Sequence, residues 1–467
     1  MTIDHGVAGA VQTENTYLEG NFAPVLEEVT AFDLTVDGEL PPSLDGRYLR
    51  NGPNPIDADP ATYHWFTGDG MVHGIRLRDG RAEWYRNRWV RSGSVPAALG
   101  EVDPGGPVTE GADFAANTNV IGVAGRCFAI VEAGAKPVEL DGELGTIGRS
   151  DLDGTLPYGA TAHPKVDPAT GELHLANYFW GRPDVIEYVV VGPDARVRHR
   201  QDIDAPGSPM VHDMSITEHH AVFYDLPVAF DLDSAMTGAS FPYAWNPEHA
   251  SRVGVLPLGG GTGTDAVRWF EVSPCYVFHS LNAHDVLGAD GSVEQVVLDV
   301  VRHDRVFDRS RLGPDESVPT LWRWTLDLRT GGVSETQLDD VPVEFPRVDE
   351  RRVGRRQRHG WAVGLSNARR TDSVFEPDCL YHHDFDTGVA TRHELGPGRS
   401  IGEAVFVPSG PDADEDDGHL LALVHDATDD RSSLVVLAAQ DLAAGPVATV
   451  HLPQRVPYGF HGNWLPA

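Results

Sequence analysis

Apolar positions along the chain fall in short runs cut by Gly, Pro, Asn and Asp, and long 3.6-residue periods are almost absent. The segments 82–90, 127–132, 172–178, 185–191, 293–301, 321–328 and 419–425 are apolar or alternating and of strand length. Short strands with frequent turn signals predict an all-β fold. One turn recurs: Asp167 to Gly171 beside the strand near His163, Asp327 to Gly331 after 321–326, and Asp386 to Gly388 after 379–385. In each, Gly supplies the positive φ of a hairpin, and Asp or Thr bonds the turn backbone. Hairpins repeated over so long a chain predict a β-propeller, where radial repetition protects sheet edges. Seven blades of roughly 60–67 residues would use the whole chain. The repeat itself does not fix their number.

Composition agrees with a large globular protein: 467 residues, 41% hydrophobic and 23% charged. A chain of this length buries a large core without disulfides. Its three cysteines, Cys127, Cys275 and Cys379, are widely spaced and odd in number, so they form no disulfide framework and no zinc ribbon. The net charge of −34 repels phosphate backbones and anionic headgroups, which argues against nucleic-acid binding. Residues 1–20 show neither a basic nor an apolar leader region, and no apolar run approaches the roughly 20 residues of a membrane helix. A cytoplasmic protein is expected, with room for a weak peripheral membrane contact through an apolar patch. The acidic stretch 412–417 is expected to be a hairpin tip facing water. The arginine-rich run 351–358 is expected to pair with the many acids.

The chemistry lies among 21 histidines. Several stand in His-Asp pairs, including His212-Asp213, His284-Asp285 and His303-Asp304. Neighbours on a strand face opposite ways, so such a pair does not normally share a metal. Four histidines stand out beside strand-like segments with small neighbours: His163 in GATAHP, His212 in MVHDM, His279 in FHSLNA and His461 in YGFHGNW. No helix or single hairpin holds positions so dispersed. A closed fold whose segments converge on one axis does.

These segments resemble those of the carotenoid cleavage oxygenases, a family of non-haem iron enzymes that includes stilbene-cleaving members. The likeness runs through Gly46 to Asn54 (GRYLRNGPN), Trp65 to Met71 (WFTGDGM), Asn117 to Asn119 and the His461 segment, nearly the whole chain. It implies one β-propeller domain over residues 1–467, seven-bladed, with loops and short helices capping an axial metal site. It implies one Fe(II) on His163, His212, His279 and His461, with no organic cofactor. Three glutamates match supporting carboxylates: Glu132, Glu344 and Glu403. Four neutral imidazoles leave the iron its full charge, and carboxylates one shell out restore part of the balance while fixing each ring through its other N–H. Thr118 matches a threonine whose methyl crowds one coordination position, and Phe66 and Phe278 match aromatic positions near the cavity.

The implied reaction is a dioxygenase cleavage. O₂ adds across a conjugated C=C bond and two carbonyl products form, both oxygen atoms ending in product. Two alkene classes compete, polyenes (carotenoids or apocarotenoids) and phenolic stilbenes or propenyl phenols. Phenol-cleaving relatives typically place a lysine just before the first supporting glutamate; here that residue is Val131, which favours the polyene. Two other readings stay open. A non-enzymatic propeller that binds a partner on one face would hold no metal, and a zinc hydrolase would act without O₂.

Overall fold

The computed structural model describes residues 15–261, 266–366 and 376–467. The expectation of no leader falls largely on residues 1–14, outside that set. No helix among the described residues is long and apolar enough to cross a membrane. The chain is a seven-bladed β-propeller built from antiparallel sheets of four to six strands. The predicted strands recur within a residue or two, for example Arg81–Trp89, Val185–Val191, Val293–Arg302 and Gly418–Asp426.

Blade 1 is the exception to consecutive order. Its inner strand is Gly462–Pro466 from the C-terminal end, paired antiparallel to Gly46–Pro53 with Tyr48 opposite Trp464. Thr30–Phe32 covers its outer edge, and Val36–Gly38 covers that of blade 7 against Pro446–His451. Both ends of the described chain are therefore tied into the ring, which leaves fewer free strand edges. The inner strands of blades 2 to 6 are Asn119–Val123, Lys165–Val166, Met214–Ile216, Ser280–Leu287 and Val343–Arg347. In blade 7 the inner edge is split between Arg399–Ile401 and Val405–Pro408, both paired to Gly418–Asp426.

The recurrent turn is real, and its register is more regular than the sequence suggested. Gly171, Gly331 and Gly388 have φ of +70°, +82° and +69°. Each donates its N–H to the carbonyl four residues back, on Asp167, Asp327 and Asp384. In the third turn the side chain that accepts turn N–H groups is thus that of Asp384, not Asp386. The acidic stretch also departs from expectation. Glu415 is largely buried and accepts the backbone N–H groups of Arg358 and His359, both at 2.7 Å. The arginine run pairs with acids at Arg351–Asp349, Arg352–Glu415, Arg355–Glu218, Arg356–Asp386 and Arg358–Asp384.

Candidate metal centre

Each blade brings one residue to the axis at the start of its inner strand. His461 immediately precedes Gly462–Pro466, Thr118 precedes Asn119–Val123 and His279 precedes Ser280–Leu287. His163 and His212 stand two residues ahead of Lys165–Val166 and Met214–Ile216. Glu344 lies within Val343–Arg347, and Glu403 occupies the break in the inner edge of blade 7. Blade geometry thus turns dispersed sequence positions into one ring of side chains.

The four histidines are buried together. His163, His212 and His279 alone can hold a metal ion, their ring nitrogens lying within 4.8 Å of one another. His461 completes the cluster: its Nε2 is 2.8 Å from His163 Nε2 and 3.2 Å from His279 Nε2. His163 and His279 each make ring contacts with the other three, so His212 and His461 face each other across the group.

Three of the four rings are backed by glutamate. His212 Nδ1 is 3.0 Å from Glu132, His279 Nδ1 is 2.5 Å from Glu344, and His461 Nδ1 is 3.0 Å from Glu403. The fourth, His163, has a buried Nδ1 with no hydrogen-bond partner among the described residues. Burial disfavours ionised carboxylates, but their partners win. Arg347 and His461 hold the Glu403 carboxyl far below the usual range, and His279 and His303 do the same for Glu344. Burial, and then the neighbouring histidines, push the His163 pKa well down. His461 is pushed down to about 4, mainly by burial, against the pull of Glu403.

A neutral ring that donates Nδ1–H to a carboxylate presents a bare lone pair at Nε2. His461, kept neutral by burial, aims such a lone pair at His279 Nε2 across 3.2 Å, while Glu344, against burial, raises the His279 pKa. Either a proton on His279 or a metal cation between the two rings satisfies that lone pair. Two nitrogens bound cis to one ion at about 2.1 Å would stand about 3.0 Å apart, so the donor set and its spacing fit a first-row transition metal.

The remaining predicted residues meet here too. Phe66, Thr118, Val131 and Phe278 all line a cavity of about 490 Å³ that ends at His212, His279 and His461. Phe66 and Phe278 meet edge to face at 5.9 Å. Thr118 donates its hydroxyl to Asn117 Oδ1, and Asn117 donates to the carbonyls of Phe66 and Gly68. Among the described residues, no Lys or Arg lines the cavity. A second cavity of about 1070 Å³ opens on the other side and reaches His163, His279 and His461.

Sequence reasoning missed several neighbours. His303 donates to the second oxygen of Glu344 at 3.0 Å, so that carboxylate is held from both sides. The backbone N–H of Phe345 adds a further bond to Glu344, at a left-handed φ of +49°. Tyr178 and Tyr243 line the cavity near Glu132. His303 was visible only as one His-Asp pair among several.

A family model described as "Retinal pigment epithelial membrane protein" matches residues 22–466. The chain is 46% identical to a carotenoid cleavage oxygenase of Mycobacterium tuberculosis, covering 98% of this chain and 99% of that one. It is 34% identical to a carotenoid 9,10(9',10')-cleavage dioxygenase of Crocus sativus, covering 96% and 89%. Among solved structures, the lignostilbene dioxygenase of Pseudomonas brassicacearum superposes with a TM-score of 0.86 at 29% identity, covering 97% of this chain and 99% of that one.

Proposed function

Because the chain belongs to the carotenoid cleavage oxygenase family, we propose that it cleaves a conjugated C=C bond of a carotenoid or apocarotenoid with O₂, giving two carbonyl products. One observation carries this reading: four imidazoles, three of them backed by carboxylates, converge at the inner end of a cavity walled by aromatic and aliphatic side chains.

His163, His212, His279 and His461 would hold one Fe(II), which supplies the redox chemistry that makes O₂ reactive toward an alkene. Glu132, Glu344 and Glu403 orient three of the rings and offset part of the metal's charge. Phe66 and Phe278 flank the alkene and help keep water from the reacting carbons. Thr118 spends its hydroxyl on Asn117, and its methyl crowds one side of the metal. Both oxygen atoms of O₂ end in product, so the reaction needs no reductant and no organic cofactor.

Val131 favours the polyene. It is 7% exposed and apolar. A phenol brought there without a partner loses hydrogen bonds to water, at a cost of about 1–3 kcal/mol. A polyene end group instead gains about 0.8 kcal/mol for each CH₂ buried. A phenolic stilbene is the second reading. The Tyr178 and Tyr243 hydroxyls near the cavity support it, as does the likeness to a lignostilbene dioxygenase.

The same reading takes the protein as cytoplasmic, its substrate as apolar, and residues 1–467 as one domain. Met236 and Leu232 are 78% and 63% exposed on a short helix, Leu232–Met236, whose Ala235 lines the cavity. These two side chains support a weak peripheral membrane contact at the mouth.

The test is an aerobic panel of carotenoids, apocarotenals and hydroxystilbenes under ¹⁸O₂, with products identified by mass. Labelled aldehyde or ketone pairs from a polyene are expected. An iron-loaded enzyme that cleaves only stilbenes would replace the substrate assignment, and a protein that takes up no iron would remove the dioxygenase reading.

A further inference from the structure

Asp213 follows His212 directly, yet it plays no part in the reading above. The two side chains diverge just ahead of the strand Met214–Ile216. The imidazole joins the cluster, and the carboxylate, almost wholly buried, turns to the neighbouring strands. Its Oδ1 accepts the Met214 N–H at 2.7 Å and pairs with Lys165 Nζ at 2.8 Å, and the same Nζ reaches Oδ2 at 3.1 Å. Its Oδ2 accepts both the N–H and the hydroxyl of Ser280, each at 2.8 Å.

The positions of these partners carry the argument. Lys165 lies two residues after His163, Met214 two after His212, and Ser280 one after His279. One short side chain therefore joins the inner strands of three consecutive blades at the level where each presents its histidine. His163 lacks the glutamate that orients the other three rings, and its strand is the one tied by the ion pair.

We propose that Asp213, clasped by Lys165 and Ser280, is a positioning residue that sets the mutual spacing of His163, His212 and His279 for the metal. The inference rests on the four-histidine reading. The glutamates act on ring N–H groups, whereas Asp213 acts on the backbone that carries the rings. An amide replaces it poorly: with its oxygen in the Oδ2 place Asn keeps Ser280 and the longer Lys165 contact but loses the charge and the Met214 N–H, and with its oxygen in the Oδ1 place it loses both Ser280 bonds.

The experiment is an anaerobic Co(II) titration of metal-free protein against a competing chelator, with the visible ligand-field spectrum and the thermal midpoint of the metal-free protein recorded alongside. Asp213→Asn is expected to weaken Co(II) binding about 10–100-fold and to change the spectrum. Lys165→Met should move both readouts the same way by less, and the double variant should bind no more weakly than Asp213→Asn alone. Ser280→Ala keeps its N–H and should have the smallest effect. If Asp213→Asn does not fold, Lys165→Met and Ser280→Ala decide the matter by the same readouts. Variants that bind Co(II) within twofold of wild type with an unchanged spectrum, while only the metal-free midpoint falls, overturn the clasp and leave the metal site standing. A wild-type protein that takes up no Co(II) overturns the metal reading and the clasp with it.

Discussion

The histidine cluster borders two cavities of unlike lining. The smaller is walled by aromatic and aliphatic side chains, and its only described ionisable acids are Glu132 and Glu344, both engaged with histidines. The larger is more polar and carries Lys165, Arg347, Asp213 and Glu403, cross-paired as Lys165–Asp213 and Arg347–Glu403. His212 faces the first, His163 the second, and His279 and His461 line both. The contrast shows that the cluster is a partition. An apolar substrate meets no Lys or Arg on the first side, among the described residues, while the Lys165–Asp213 and Arg347–Glu403 pairs stay on the other. Placing them on the substrate side would cost desolvation free energy or disfavour the polyene.

Breaking the partition itself has the largest expected effect. His461→Ala removes a ring that borders both cavities. It should lose iron and activity together, by more than the roughly 100-fold upper range for residues behind a ligand. His451→Ala, at an exposed histidine paired with Asp37, should leave both unchanged. Metal analysis of the purified variants checks this, and equal iron in the two would refute the ligand assignment.

Next come the carboxylates behind the rings. Glu344→Gln and Glu403→Gln keep shape but lose charge, and each should cost about 10–100-fold in metal affinity or activity. Glu344→Gln should be the more severe, because it disturbs two histidines, His279 and His303. Chelator competition against wild type provides the measure, and activity within twofold for both variants would remove their role.

A charge placed in the apolar cavity tests its side of the contrast. Val131→Lys should shift the ratio of kcat/KM from apocarotenal toward 4-hydroxystilbene by about tenfold, the equivalent of about 1.4 kcal/mol from within the range for an unpartnered phenol. Competition assays with both alkenes read it directly. An unchanged ratio in a folded, iron-loaded variant would mean that Val131 serves only packing.

The smallest effect is expected at the mouth. Leu232→Asp with Met236→Asp should lower co-sedimentation with neutral phosphatidylcholine vesicles several-fold. Cleavage of a detergent-dispersed apocarotenal should stay near wild type, since both side chains point to solvent and bury little. Undiminished vesicle binding would remove the membrane contact from the proposal.

Much of this protein was fixed by local sequence. Hairpin punctuation is a short-range property, so the strands, the Asp-Gly turns and the all-β class were readable, and the four histidine segments stood out by their small neighbours and strand context. Even local chemistry had its ambiguity: Asp384 rather than Asp386 caps the third turn, because the register depends on where Gly388 enters the left-handed region. What tertiary structure alone decided is a further set of contacts between blades and the surroundings they create. The clasp of Asp213 on Lys165 and Ser280, the second hold of His303 on Glu344, the bare Nδ1 of His163 and the two unlike cavities join residues tens to hundreds of positions apart. Alternation tells which way a side chain leaves its strand. Only ring closure tells what it meets there, since closure sets the distance and twist between neighbouring inner strands.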